Sequence, residues 1–140
     1  MNKKFNIQIV PMYSEELCDN NPNKLYIFGD NTKRIGLGGQ ASIRNKSNSV
    51  GICTKKSIFE FMTDDEFEQN KIIIDSDIKT INDLMEQGEF NILVFPESGL
   101  GWGRALMQKY CPKTALYLST RLLEEYNFNN LESLVNKNEF

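Results

Sequence analysis

Two segments of this chain share one design, and it narrows the possible folds more than any other feature. "YIFGDNTKRIGLGGQA", residues 26–41, runs an apolar segment straight into a cluster of glycines. "ILVFPESGLGWGRA", residues 92–105, does the same near the other end. Strands that are apolar without polar alternation are buried on both faces, as in a parallel sheet covered by helices on either side. In such sheets ligands bind beyond the carboxyl ends of the strands, so both glycine loops belong on one rim.

The rest of the chain reads consistently with that frame. Phe5 to Met12 reads as a first strand, 14–23 (SEELCDNNPN) as a turn-rich connection, and Lys24 to Phe28 as the strand entering the first loop. Gln40 to Asn45 fits a short helix and Ser49 to Thr54 a further strand. Thr63-Asp64-Asp65-Glu66 has the form of a capping box, which predicts a helix start. Phe67, Ile74, Ile78, Ile81 and Met85 follow on one helical face, with Asp75-Ser76-Asp77 as a potential break and Gly88 as a C-cap. Asn91 to Phe95 is another buried strand. Pro112 suits a first helical position, and Ala115, Leu118, Leu122 and Tyr126 supply an inward face. The segment 129–140 reads as a weak helix or tail.

Length and composition bound the function. At 140 residues the chain fits a single domain, 1–140, with one core. A net charge of -3 argues against a molecule that coats nucleic acid or an anionic membrane, so any anion site is local. The short apolar run at the N-terminus is no signal peptide and no spanning segment follows, so no membrane partner is expected. Three widely spaced cysteines without a CxxC pair suit a reduced, cytoplasmic chain. There is no histidine, which excludes Ser-His-Asp and Cys-His catalysis and every His-based zinc site. Three cysteines cannot supply a four-thiolate zinc site either, so neither metal nor cofactor is expected.

A glycine amide can approach a phosphate closely, and consecutive amides form an anion-holding nest. The first loop offers Gly36, Gly38 and Gly39, and the second Gly99, Gly101 and Gly103 with Arg104 beside them. Together they suit the two phosphates of a diphosphate, gripped from opposite sides. The bland alternative is two flexible turns. A dinucleotide fold is a further alternative, since Gly36-Leu-Gly38-Gly39-Gln-Ala41 fits G-x-G-x-x-A, but "ICTKKS" brings lysines where that fold needs an acidic residue. No P-loop Gly-Lys-Ser/Thr is present.

The segment "YIFGDNTKRIGLGGQA" resembles the first ligand loop of macrodomains, and "FPESGLGWGRA" their second, diphosphate-holding loop. Between them "GICTKKS" is similar to the strand end of the ADP-ribosyl hydrolase branch, which includes DNA-directed antitoxin macrodomains. The resemblance covers roughly residues 24 to 126. It implies an α/β protein with a three-layer α/β/α macrodomain-like fold, a largely parallel mixed sheet, and an ADP-ribose-type ligand.

Residue by residue, the resemblance places Asn31 near a distal ribose. Gly36, Gly38, Gly39 and Gln40 fall in the first loop, and Ser98, Gly99, Leu100, Gly101, Trp102, Gly103 and Arg104 in the second. Thr54 and Lys55 fall at the intervening strand end, Lys55 matching the catalytic lysine of the hydrolases. Gly103 stands where that branch carries a catalytic aspartate, and Gly29-Asp30 lies inside the strand end rather than before the strand as an adenine reader. The residues themselves leave Asp30 as a ribose contact or a turn cap, Trp102 as a stacking surface or packing, and Glu97 as the carboxylate beside the second loop.

Two functions follow. In one, the chain binds ADP-ribose or a derived nucleotide, a cyclic or conjugated signal included, as a reader or sponge without turnover. In the other it is an ADP-ribosyl hydrolase using Lys55 with Asp30 or Glu97, nucleic acid entering only as an ADP-ribosylated substrate. The missing second-loop aspartate favours the binder.

Overall fold

The computed structural model describes residues 5–137. In chain order the elements are β1 (Ile7–Val10), α1 (Glu15–Asn20), β2 (Lys24–Asn31), a 3₁₀ turn (Gly39–Ile43), β3 (Ser49–Lys55), a second 3₁₀ turn (Asp64–Glu66), α2 (Phe67–Glu86), β4 (Ile92–Pro96), α3 (Met107–Tyr110), α4 (Pro112–Tyr126) and α5 (Asn130–Lys137). The four strands form one sheet in the order β1-β4-β2-β3, and every pairing is parallel. The expected α/β layering is present, with a sheet that is parallel throughout rather than mixed. Each strand-to-strand connection crosses over one face, as parallel neighbours require.

Alternate residues of each central strand feed two cores. Leu25, Ile27, Ile52, Leu93 and Phe95 pack with Ile74, Ile78, Ile81 and Met85 of α2 and with Ala115, Leu118, Leu122 and Tyr126 of α4. Tyr26, Phe28 and Val94 face the other way, onto Cys18 of α1 and onto Ala41 and Ile43 of the first 3₁₀ turn. Both faces are covered, which is why no polar alternation is visible in "LYIF" or "ILVF". Among the described residues no helix is long and apolar enough to cross a membrane. Cys18, Cys53 and Cys111 are unpaired and buried, and burial pushes the Cys18 thiol up to about 11 and that of Cys111 to about 12.

Three local expectations are corrected, and of the two alternatives expected at the C-terminus the helix is the one present. The segment 14–23 contains a real helix, capped where the Ser14 hydroxyl accepts from the Leu17 amide at 3.0 Å. The capping box at Thr63 does not form, because Glu66 is drawn to Lys56 at 3.0 Å and α2 begins only at Phe67. Asp75-Ser76-Asp77 does not break α2. Asp75 accepts from Tyr117 and Arg121, and Asp77 from Arg34 and the Cys53 amide, so neither competes for the helix backbone. Residues 130–137 form α5, held by the buried Asn130, while the last three residues of the expected tail lie outside the described residues.

Asp64, freed from the box, caps a different helix. Its carboxylate accepts from the Lys113 and Thr114 amides at 2.9 and 3.0 Å and from the Thr114 hydroxyl at 2.8 Å. Burial pushes this carboxyl up, but those hydrogen bonds outweigh it and hold Asp64 below its ordinary 3.8. A folded pKa below the unfolded one stabilises fully above the unfolded value and is lost as pH falls through the folded one. Asp64→Ala is expected to cost about 1 kcal/mol at neutral pH, the usual price of a helix cap. In urea titrations that cost should shrink towards zero as the pH is taken below the folded pKa of Asp64.

Candidate functional site

The site begins with a split in the sheet. β2 and β4 pair only over Lys24↔Ile92, Leu25↔Leu93 and Tyr26↔Val94. Beyond Tyr26, β2 continues alone with β3 as far as Asn31↔Lys55, and β4 with β1 as far as Val10↔Pro96. The Tyr13 hydroxyl sits across the parting strands, sharing its proton between the Ile27 and Val94 carbonyls at 2.6 and 3.1 Å. The chain leaving β2 turns to the face of the first 3₁₀ turn, and the chain leaving β4 to the face of α4. Neighbouring strands whose connections diverge in this way leave a crevice at their carboxyl ends. Here it is a cavity of about 430 Å³, within the usual range for small-molecule sites.

Gln40 bridges the crevice. Its Oε1 accepts from the Gly29 amide at 2.9 Å, the place a β4 carbonyl would have taken, and its Nε2 donates to the Gly99 carbonyl at 2.9 Å and to Ser98 Oγ at 3.2 Å. One amide therefore ties β2 to both loops. The first loop is further shaped by Asn31, whose Nδ2 donates to the Ile35 carbonyl at 2.8 Å and whose Oδ1 accepts from the Lys33 amide at 3.1 Å. Arg44 donates to the Gly36 and Ile35 carbonyls at 2.8 and 3.1 Å.

Asp30 forms one wall, and its oxygens are taken. Oδ1 accepts from the Asn31 amide and from Arg44 at 2.7 and 2.6 Å, and Oδ2 from Arg44 and Arg34 at 3.0 and 3.3 Å. Arg34, with a left-handed φ of 57°, reaches on to Asp77 of α2. Asp77 in turn accepts from the Cys53 amide at 2.8 Å, so the outer edge of β3 is capped by this ion pair. Gly51 is glycine because Asp30 occupies its Cβ volume, 2.6 Å from the Asp30 Cβ. Nothing in the sequence around "SVGICT" signals that requirement.

The second loop is anchored from below. Asn130 accepts from the Leu100 amide at 2.8 Å and donates to the Leu100 carbonyl at 2.9 Å, and its own carbonyl accepts from the Trp102 indole at 2.7 Å. Trp102 is 2% exposed and Leu100 fully buried, and neither lines the cavity. Gly99 and Gly101 adopt φ of 76° and 94°, and a Cβ at either would strike protein: Asn130 and Ser133 for the first, Met107 for the second. These two glycines are therefore required by packing as well as by any ligand.

What remains free is backbone and cation. Among the described residues, no protein acceptor takes the amides of Gly101 to Ala105, nor those of Ile35 to Gln40 in the first loop. Three cations line the cavity, Arg44, Lys55 and Arg104, against the single carboxylate Asp30. Lys55 donates to the Ile58 carbonyl at 2.6 Å and lies 5.0 Å from the Phe61 ring centre. Arg104 has no carboxylate partner among the described residues, and its guanidinium rests where a side chain at Gly38 would be. A chain of net charge -3 thus concentrates two unbalanced positive charges in one crevice.

Of the residues nominated from sequence, the cavity gathers Asp30, Asn31, Gly36, Gly38, Gly39, Gln40, Thr54, Lys55, Ser98, Gly99, Gly101, Gly103 and Arg104. Glu97 is exposed and outside it, its amide donating to the Val10 carbonyl. Sequence reasoning missed Arg44, Ile35, Leu37 and Ile58, which carry no motif; only their neighbourhood to the first loop and to the Thr54-Lys55 strand end could have pointed to them.

The model of a family of unknown function, DUF7831, matches residues 9–121. The chain belongs to that family. The matched span begins in β1 and ends within α4, and so contains every residue lining the cavity, whereas the anchor Asn130 lies beyond it. No curated protein and no solved structure matches the chain.

The wall charge makes a direct test of this geometry. Asp30→Ala would leave the half-buried Arg44 without its carboxylate partner, which costs about 2–3 kcal/mol, less than the loss in a fully buried pair. Chemical denaturation should register a loss of that order, and a change under 1 kcal/mol would mean that the ion pair does not hold the first loop.

Proposed function

We propose that this cavity binds ADP-ribose or a closely related nucleotide diphosphate, and that the protein acts as a reader or sponge rather than turning the ligand over. The observation that carries the reading is that three cations against one carboxylate, and two glycine loops with unpaired amides, line one crevice. Amide nests and cationic side chains recognise phosphate oxygens, and two of each suit two phosphates better than one. The macrodomain resemblance of the loops supplies the ADP-ribose identity.

Binding without turnover follows from the carboxylates. Hydrolysis at a ribose needs a base within hydrogen-bond reach of the attacking water. Asp30 has both oxygens engaged by guanidinium groups and Glu97 does not line the cavity, while Gly103 brings no carboxylate. Lys55 does line the cavity, and the hydrolase reading rests on it alone.

Calorimetry is expected to show ADP-ribose binding at least about tenfold more tightly than AMP, since a monophosphate forgoes one loop, a difference of about 1.4 kcal/mol. Gly38→Glu should abolish binding with the fold retained, because its backbone is not left-handed and the side chain that must yield is the long, exposed Arg104. Gly101→Glu is unsuitable for that purpose, since it would collide with Met107. Mass spectrometry of ligand recovered after incubation should return it unchanged. Equal affinity for AMP would refute the two-loop reading, and a Lys55-dependent product would make the protein an enzyme.

A further inference from the structure

We infer that Arg104 and Gly38 form one diphosphate clamp: the guanidinium of the second loop is seated across the crevice on the first, in a slot that stays open only because residue 38 has no side chain. This rests on the nucleotide-diphosphate reading above and adds to it the group that grips the phosphates and the residue that positions it.

The slot has a steric origin rather than a conformational one. Gly36, Gly39, Gly99 and Gly101 all adopt left-handed φ, where a side chain is strained. Gly38 does not: its φ of -87° and ψ of 147° are open to any residue. What a side chain would lack there is room. A Cβ at Gly38 would fall within the volume of Arg104 Nη1, with Cζ 3.3 Å away and Nη2 3.8 Å away. The atoms in the way are the far end of a long side chain, so the fold could yield to a methyl group at little cost. The empty volume therefore serves the placement of Arg104 rather than the stability of the turn.

The chain that carries Arg104 is fixed from below. The Trp102 indole is tied to the Asn130 carbonyl at 2.7 Å, Ala105 is buried, and the Gly101 carbonyl accepts from the Met107 amide at 2.9 Å. From that base the exposed side chain extends along the cavity wall. Of the three cations there, Arg44 commits its donors to Asp30 and to the carbonyls of Ile35 and Gly36, and Lys55 donates to the Ile58 carbonyl. Arg104 has no hydrogen-bond or ion-pair partner among the described residues. A guanidinium carries its N–H donors in a planar fork that meets two phosphate oxygens at once. Seated in a slot, it has fewer rotamers to lose when the ligand arrives, which is the usual gain of a contact set in advance. A Cβ at residue 38 would push the fork aside, and a misplacement of about 1 Å is enough to weaken such a contact severely.

The test is a double-mutant cycle read by calorimetry with ADP-ribose. It takes Gly38→Ala, Arg104→Ala and the two together, each checked for fold by circular dichroism and urea titration. Arg104→Ala should weaken ADP-ribose at least about tenfold, as expected for the loss of a charge-assisted contact. Gly38→Ala should weaken it by a similar factor while keeping a urea midpoint close to that of the wild type. The double variant should match Arg104→Ala within about twofold, because both changes remove the same contact. Losses that multiply in the double variant would show that Gly38 acts without Arg104 and would overturn the clamp. Wild-type affinity in either single variant would overturn it equally, and a joint fall of affinity and urea midpoint in Gly38→Ala would make that glycine a requirement of the fold instead. In each of these cases ADP-ribose still binds the wild-type protein, and the diphosphate reading stands. Failure of the wild-type protein to bind ADP-ribose would remove that reading, and the clamp with it.

Discussion

The amide of Gln40 is the interaction on which the site depends. Where β2 and β4 part, a backbone donor at Gly29 and a carbonyl at Gly99 are both bonded by this one amide. A buried, unpaired backbone group costs about 1–3 kcal/mol, so the gap persists only because one side chain satisfies both. Gln40 can do this because it offers an acceptor and two donors at one planar end. Its position in the first 3₁₀ turn also fixes how far that turn stands from the second loop. The width of the cavity and the spacing of the loops both follow from it.

Charge organisation follows the same logic. A carboxylate as buried as Asp30 needs a partner, and Arg44 provides one while also holding the carbonyls of the first loop. Arg34 extends the pair to Asp77, so the loop, the edge of β3 and α2 share one network. The cost falls on chemistry: the one carboxylate in the cavity wall is occupied. Among the described residues, Lys55 and Arg104 have no carboxylate partner in an ion pair, so the cavity wall carries a net positive charge.

Much of this was legible beforehand because it depends on local pattern. The unbroken apolar runs at 25–28 and 92–95 announced strands buried on both faces, and the helical spacing from Ile74 to Met85 and from Ala115 to Tyr126 announced the layer above them. Glycine clusters announced the loops. Their reasons were only half legible, since a glycine that admits a phosphate and one that makes room for Met107 or Asn130 look identical in sequence. Trp102 illustrates the same limit: an indole between two loop glycines reads equally as a stacking surface or as an anchor, and the carbonyl of Asn130, 28 residues away, makes it the anchor.

The sequence by itself determined the parallel sheet, its two apolar faces and the placement of both loops on one rim, because strand burial and turn chemistry are written within a few adjacent residues. Only the tertiary structure decided which groups at that rim stay free. Asp30 lost its availability to Arg44, fourteen residues on, Thr63 lost its capping partner to Lys56, and Gln40 became a strut because the partner of Gly29 is not β4. Each outcome is a competition among hydrogen-bonding groups distant along the chain, and it is settled by which of them the packing brings within about 3 Å.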